Sequence, residues 1–364
     1  MRSAIYGAMA ALGLLAVSAP QAAAQERRDL PTDNGVGVAF TVENDVFVPG
    51  DNTDRYYTQG MKLAYLTGDR PTGPLVQTLV SLLPESEDGW RVRTTMGLGP
   101  HMYTPEDYST VVPDPTDRPY AGWLYGSYAH VAYSRRAVVG LELQAGIVGP
   151  DAHAGFIQNW WHANVLSDAA PVNGWASELD EEIGLNAHGE WRYRLNESPR
   201  EGWDGDVLLV ATAALGNVDI SAGGGAIARL GYNLGGDFGP PRLRPGAAGS
   251  EFFSGGEWSA YAFAGVYGRA VGRDIFLDGN TFGDSPSVER ERWVPEYTLG
   301  AVLRTPRRII PLTGGRLYMP PLRFGYTWVK REQEFVGQRG PSEFGALTIT
   351  VLGNGLNPFN LGWP

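Results

Sequence analysis

The sequence predicts an all-β protein: a twelve-stranded antiparallel transmembrane β-barrel with a short helix in an external loop. Three observations carry that expectation. Large apolar or aromatic residues alternate at period two with arginine, glycine or alanine, segment after segment. Nothing after residue 25 has the long uninterrupted apolar run of a transmembrane helix. The 49 glycines, 17 tyrosines and 11 tryptophans accompany a slightly polar overall hydropathy, the balance expected where only alternate residues meet lipid.

The chain of 364 residues opens "MRSAIYGAMAALGLLAVSAPQAAAQE". Arg2 supplies a short positive region, Ala8 to Val17 an apolar one, and Ala22-Ala23-Ala24 a cleavage site, so residues 1–24 read as a signal peptide. The apolar run is too short to span a bilayer. Residues 25–364 are then one exported barrel domain. There is no cysteine, which excludes disulfides and thiolate chemistry. The net charge of −11 argues against nucleic-acid binding.

Alternation marks strands near 35–46, 57–67, 91–103, 119–134, 138–148, 186–195, 206–217, 225–234, 256–269, 292–304, 321–331 and 343–353. In "LRFGYTWVKR", Leu322, Phe324, Tyr326 and Trp328 oppose Arg323, Gly325, Thr327 and Arg331, with Val329 the exception. In "WRVRTTMGLG", Val92, Met96 and Leu98 oppose Arg91, Arg93 and Thr95. In "SAYAFAGVYGR", Tyr261, Phe263 and Tyr267 oppose alanines. Large residues outward and arginine, glycine and alanine inward suit a lipid-facing wall around a polar lumen. A soluble sandwich would not place so much arginine on one face.

An even strand count leaves both ends of the barrel chain in the periplasm. Segments 47–56, 104–118, 149–185, 270–291 and 332–342 then fall outside. Two periplasmic connections are long for such turns: 68–90, with the apolar "LVQTLVSLL", and the Pro/Gly-rich 235–255. A periplasmic helix and an internal constriction are the readings for them. In the longest external loop, "DAHAGFIQNWWHANVLSDA" has helical spacing. Ile157, Trp161 and Val165 form one row, Phe156 and Trp160 an adjacent one, and Gln158 stacks with His162 four residues on.

This topology gathers polar residues at the outer rim. Asn44 and Asp45 end the first strand, beside Glu43; Tyr57 and Thr58 begin the second; helix 151–168 brings Gln158 and His162. Polar rim residues are ordinarily solvated loop ends. An imidazole, an amide, carboxylates and a hydroxyl together could also serve hydrolysis, with His as base and oxygen donors suiting Ca²⁺.

The motifs "ENDVF" (43–47), "DRYYTQG" (54–60), "MYTPED" (102–107), "DRPYAGWLY" (117–125), "GIVGPDA" (146–152) and "IQNWWH" (157–162) resemble the lipid A 3′-O-deacylase (LpxR-type) family of outer-membrane enzymes. "GDFGPPRLRPG" (236–246) and "FLDGNTF" (276–282) extend the resemblance along nearly the whole mature chain. It implies a monomeric twelve-stranded outer-membrane barrel that removes the 3′-linked acyloxyacyl group of lipid A, within lipopolysaccharide, in a Ca²⁺-dependent reaction. The implied mechanism resembles that of secreted phospholipases. By motif, His162 is the general base, Asn44 and Asp45 serve calcium and the oxyanion, and Thr58 and Gln158 position substrate or water. The family's lysine after the "YTP" stretch is missing from "EDYSTVVPDPTDRPY"; Thr110 falls about there, and Arg118 is the expected substitute for a lipid phosphate.

Two other readings come from different classes. An outer-membrane phospholipase would need a Ser-His pair, but neither a G-x-S-x-G elbow nor an H-x-S-N-G pattern occurs. A non-catalytic narrow barrel would tolerate neutral replacements of His162 and Asp45 without any loss of activity.

Overall fold

The computed structural model describes residues 36–48, 55–69, 74–83, 89–164, 172–196, 202–240, 257–312 and 315–353. The expected signal peptide and the C-terminal stretch from 354 fall outside them. Twelve antiparallel strands close into a barrel. In chain order they are β1 (Gly37–Asn44), β2 (Tyr56–Leu66), β3 (Arg91–Thr104), β4 (Ala121–Tyr133), β5 (Ala137–Val148), β6 (Glu182–Arg194), β7 (Trp203–Gly216), β8 (Asp219–Tyr232), β9 (Ser259–Asp274), β10 (Trp293–Thr305), β13 (Leu322–Arg331) and β14 (Ser342–Leu352). Between β10 and β13 stands a two-stranded hairpin outside the barrel, β11 (Arg308–Leu312) with β12 (Gly315–Met319), which the alternation had not marked. β1 pairs with β14, so no sheet edge is left open.

The wall follows the expected chemistry. Leu63, Leu98, Leu143, Leu185, Leu215 and Leu299 are each more than half exposed, forming an apolar belt of the kind a bilayer covers. Arg93, Arg192, Arg229, Arg269, Arg323 and Arg331 are buried on the opposite face. Each is paired inside: Arg229 with Asp206 and Asp237, Arg331 with Glu296, Arg269 with Asp219 and Glu334. No helix of the described residues is long and apolar enough to cross a membrane; strands do the crossing.

β13 faces as expected, and Val329 is an apolar member of its inner face, packed near Tyr57 and Phe344. β9 is a correction. Tyr261 and Phe263 are buried inside while Ala260, Ala262 and Ala264 are exposed. The Tyr261 hydroxyl donates to Asp237, and the Arg229 guanidinium stands 4.9 Å from its ring centroid. A ring with a polar tip is useful there, in a lumen rich in charge.

Both long periplasmic connections acquire form. Helix α1 (Pro74–Ser81) starts on a proline, which suits a first helical position. It packs Val76 and Val80 on Val92 and Ala132. Val92 and Ala132 share the outer parity of Leu98 and Tyr128, so α1 clasps the barrel from outside. Residues 233–240 instead fold into the lumen, where Arg192 donates to the carbonyls of Phe238 and Pro240, Arg194 to that of Asp237, and Arg323 to that of Gly239. They are the internal constriction; residues 241–256 fall outside the described residues.

Candidate active site

The outer rim is built on a row of four cross-strand partners. Asn44 pairs with Gln59, Gln59 with Met102, and Met102 with Gly122. Alternation fixes their side: Phe40 of β1, Leu98 of β3 and Gly126 of β4 are exposed on the wall, and Asn44, Met102 and Gly122 share their parity. The row therefore belongs to the lipid-side face, not to the lumen.

Helix α2 (Ala154–Asn164) lies over this row, following a one-turn 3-10 helix at Pro150–Ala152. It is shorter than the expected 151–168; Val165 and the residues to 171 are outside the described ones. A Cβ on Gly122 would come within 2.6 Å of the Ala154 Cβ, so the missing side chain is what lets the helix touch the wall. Ala154 and Ile157 join Met102, Met61, Tyr120 and Trp175 in one apolar cluster. The helix thus spans β4, β3 and β2, and His162, eight residues beyond Ala154, is carried on by ~12 Å. Gln158 and His162 share its buried face, as their spacing required, and both are at most 3% exposed.

Asn44 ends β1 and caps a 3-10 turn, Asp45–Phe47: its Oδ1 accepts from the Val46 amide at 2.8 Å. The turn is fastened to β13 and β14. The Tyr326 hydroxyl donates to the Phe47 carbonyl at 2.9 Å, and Phe47 covers Gly345. Asp45 is held buried. Glu43, one residue before Asn44, faces the lumen and accepts from the Tyr57 hydroxyl at 2.8 Å. Glu43 thus points away from the row that holds Asn44.

Thr58 owes its direction to a β-bulge. Tyr57 pairs with Tyr103 and Gln59 with Met102, so Thr58 is the extra residue. Such a bulge re-aims side chains: Tyr57 packs inward, Gln59 stays in the outer row, and the Thr58 hydroxyl meets that of Thr104 at 2.6 Å. Tyr56, immediately before, has φ +69°, a conformation costly for a bulky residue. Its ring packs edge-on against Phe335, and its hydroxyl accepts from the Arg339 amide.

All five expected site residues, Asn44, Asp45, Thr58, Gln158 and His162, are buried to 3% exposure or less. The reading of solvated loop ends does not hold for them. Their second layer was not legible from spacing. The Trp175 Nε1–H donates to Gln158 Oε1 at 2.8 Å. An indole nitrogen can only donate, so this bond fixes which amide atom is the oxygen and leaves the buried Nε2 with no hydrogen-bond partner among the described residues. Tyr108 presents its ring edge-to-face with His162, centroids 6.3 Å apart. Asn159 clamps Val172 through both its amide atoms, closing the loop onto the helix.

Arg118 is a correction to the phosphate expectation. It is 1% exposed, stacked 4.6 Å from the Tyr103 ring centroid and paired with Glu334, so its charge is committed inside the barrel. Thr110 is exposed on the loop. The cations that border this loop are Arg55 and Arg339, both beside Glu106, and the Arg339 side chain is 78% exposed.

The family resemblance implies calcium, and the donors near Asn44 suit such an ion in kind. Carboxylate, amide and hydroxyl oxygens are hard ligands, with Asp45 the one acid among the five. Among the described residues no group of three or more His, Cys, Asp or Glu is placed to hold a metal.

A closed twelve-stranded barrel with an apolar belt defines the class of outer-membrane barrels, and the buried polar residues at its outer rim are its candidate site. A family model for outer membrane protein LpxR matches residues 9–352, and the chain belongs to that family. It is an outer-membrane protein and, by family, a lipid A 3′-O-deacylase. LpxR from Salmonella typhimurium is similar in fold, at 20% identity and TM-score 0.65 over 86% of this chain and 99% of that one. The beta domain of the Bordetella autotransporter BrkA, 13% identical over 88% of this chain and 99% of that one, reaches a TM-score of 0.37. No curated protein sequence matches.

Proposed function

We propose that the protein hydrolyses the 3′-linked acyloxyacyl ester of lipid A from the lipid side of its own wall, with His162 as general base and Ca²⁺ as cofactor. One observation supports this most: the five polar side chains are buried at one rim of the barrel, Asn44 in the lipid-side row and Gln158 and His162 on the covered face of α2, where a lipid held in the outer leaflet can reach them. His162 takes the proton of the attacking water and returns it to the 3′ oxygen as the acyl–oxygen bond breaks. It stands in the last turn of α2, where the helix dipole favours the positive charge the ring then carries. The Nε2 of Gln158 is a donor available to the ester oxygen as it gains charge. Thr58, braced by Thr104, orients water or substrate. Asp45, with Asn44, would hold the Ca²⁺, which when bound polarises the ester carbonyl.

The narrow-channel reading is disfavoured by a lumen crossed by ion pairs and by residues 233–240. Mass spectrometry of lipid A incubated with purified protein tests the proposal. Loss of the 3′ acyloxyacyl mass with Ca²⁺ and not with chelator is the expected result. Unchanged lipid A in both would refute the activity, and equal loss in both would remove the metal.

A further inference from the structure

Helix α2 exposes its largest outward-facing rings. Its wall side carries Gln158 and His162, both buried; its outer side carries Phe156, 73% exposed, and Trp160, 52% exposed, four residues apart. A helix against water turns polar residues outward. An exposed aromatic stripe suits a helix whose surroundings are apolar.

The position of α2 supplies those surroundings. It rests on Met102, four residues beyond the exposed belt position Leu98, and on Gly122, two residues beyond the half-buried Leu124, along their strands. The belt itself continues at this level: Ile183, 71% exposed, pairs with Ile147, and Ile147 with Leu124. Along the outer side of α2 runs a cleft of about 610 Å³, lined by Phe156, Trp160, Ala163 and Trp175, with Glu178 at its edge. Burial within the protein pushes the Glu178 carboxyl up to about 7.

We propose that α2 is an interfacial helix, seated with Phe156 and Trp160 at the boundary between headgroups and acyl chains of the outer leaflet, and that its occupant is lipid. Aromatic side chains are favoured at that boundary because an apolar body and a polar edge are both satisfied there. The lipid layer then closes the outer side of the helix whose inner side carries His162. The proposal rests on the barrel and its membrane, not on the chemistry proposed above.

The absence of cysteine makes the test direct. Single variants Phe156→Cys, Trp160→Cys and Ala163→Cys are spin-labelled and reconstituted in vesicles of phosphatidylethanolamine and phosphatidylglycerol. Leu143→Cys on the belt and Val112→Cys on loop 105–120, 82% exposed, serve as lipid and water references. The expected result is that labels at 156 and 160 collide more often with oxygen than with a water-soluble nickel complex, as at 143. A nickel preference like that at 112 would overturn the proposal. So would shielding from both reagents, which would mean that protein, such as a second copy, covers the helix. Retained folded-barrel mobility on an unheated gel qualifies each variant, and either of positions 156 and 160 is sufficient to decide.

Discussion

At the scale of single residues, the site is set apart by burial. His162 is 3% exposed on a helix whose neighbouring residues in sequence, Trp161 and Ala163, are more open. Its replacement by alanine should leave the barrel folded, because the helix is seated through Ala154 and Ile157 instead. Ester hydrolysis should fall by at least ~100-fold, the lower end for loss of a general base; a smaller loss would reassign the base. Asp45→Ala should reproduce the effect of a chelator, and chelator should then add nothing further to it. A variant still inhibited by chelator would place the ion elsewhere. For the lipid phosphate, Arg339 is the exposed cation of this rim and Arg118 the buried one. Arg339→Ala should therefore weaken binding of phosphorylated lipid A more than of the dephosphorylated form. Arg118→Ala should lower stability, since it leaves Glu334 short of a buried partner. Binding to immobilised lipid A and thermal unfolding separate the two.

At the scale of elements, two devices aim the site: the bulge at Thr58 and the close seat of α2 on Gly122. Gly122→Val would force side-chain atoms into the space now filled by Ala154. Rearrangement of that order costs about 1–3 kcal/mol. Here the outcome should be a lifted helix in an intact barrel, with hydrolysis reduced more than tenfold and the melting transition nearly unchanged. Equal loss of both would make Gly122 merely structural. The sequence revealed the strands because alternation is a direct consequence of the pleat. It revealed the sidedness of β13 because Arg323 and Arg331 could only be inside. β9 alternates rings with alanine, and its single marker of the lumen, Arg269 at the end of the ring row, was outweighed by the bulk of the rings, so its faces were read in reverse. Gln158 and His162 were legible as an i, i+4 pair. Trp175, which orients Gln158, was not, because it comes from a separate turn 17 residues on. Likewise Arg118 looked like a loop cation, and only its packing against Tyr103 and Glu334 shows where its charge is used.

At the scale of the whole molecule, the two faces of the wall have different tasks. The lumen is a stabilising interior of ion pairs, and the proposed chemistry belongs to the outside. Asp237 is the centre of the lower lumen: Arg229, Arg304 and Arg323 pair with its carboxylate, and Tyr261 donates to it. Breaking such a buried arrangement from one side costs about 3–5 kcal/mol, because the remaining charges keep their desolvation without their partner. Asp237→Ala should therefore lower the thermal stability of the barrel and loosen residues 233–240 from the arginines that hold their carbonyls. The unaltered protein, closed by that segment, should give no steady current in a planar bilayer. The variant should show channel openings. Hydrolysis by the folded fraction should change little, since none of the five site residues contacts this cluster. A silent Asp237→Ala barrel of normal stability would mean that the segment is held by its backbone hydrogen bonds alone. A variant that conducts but has lost hydrolysis would mean that the lumen and the outer wall are coupled, contrary to the division of tasks drawn from their chemistry.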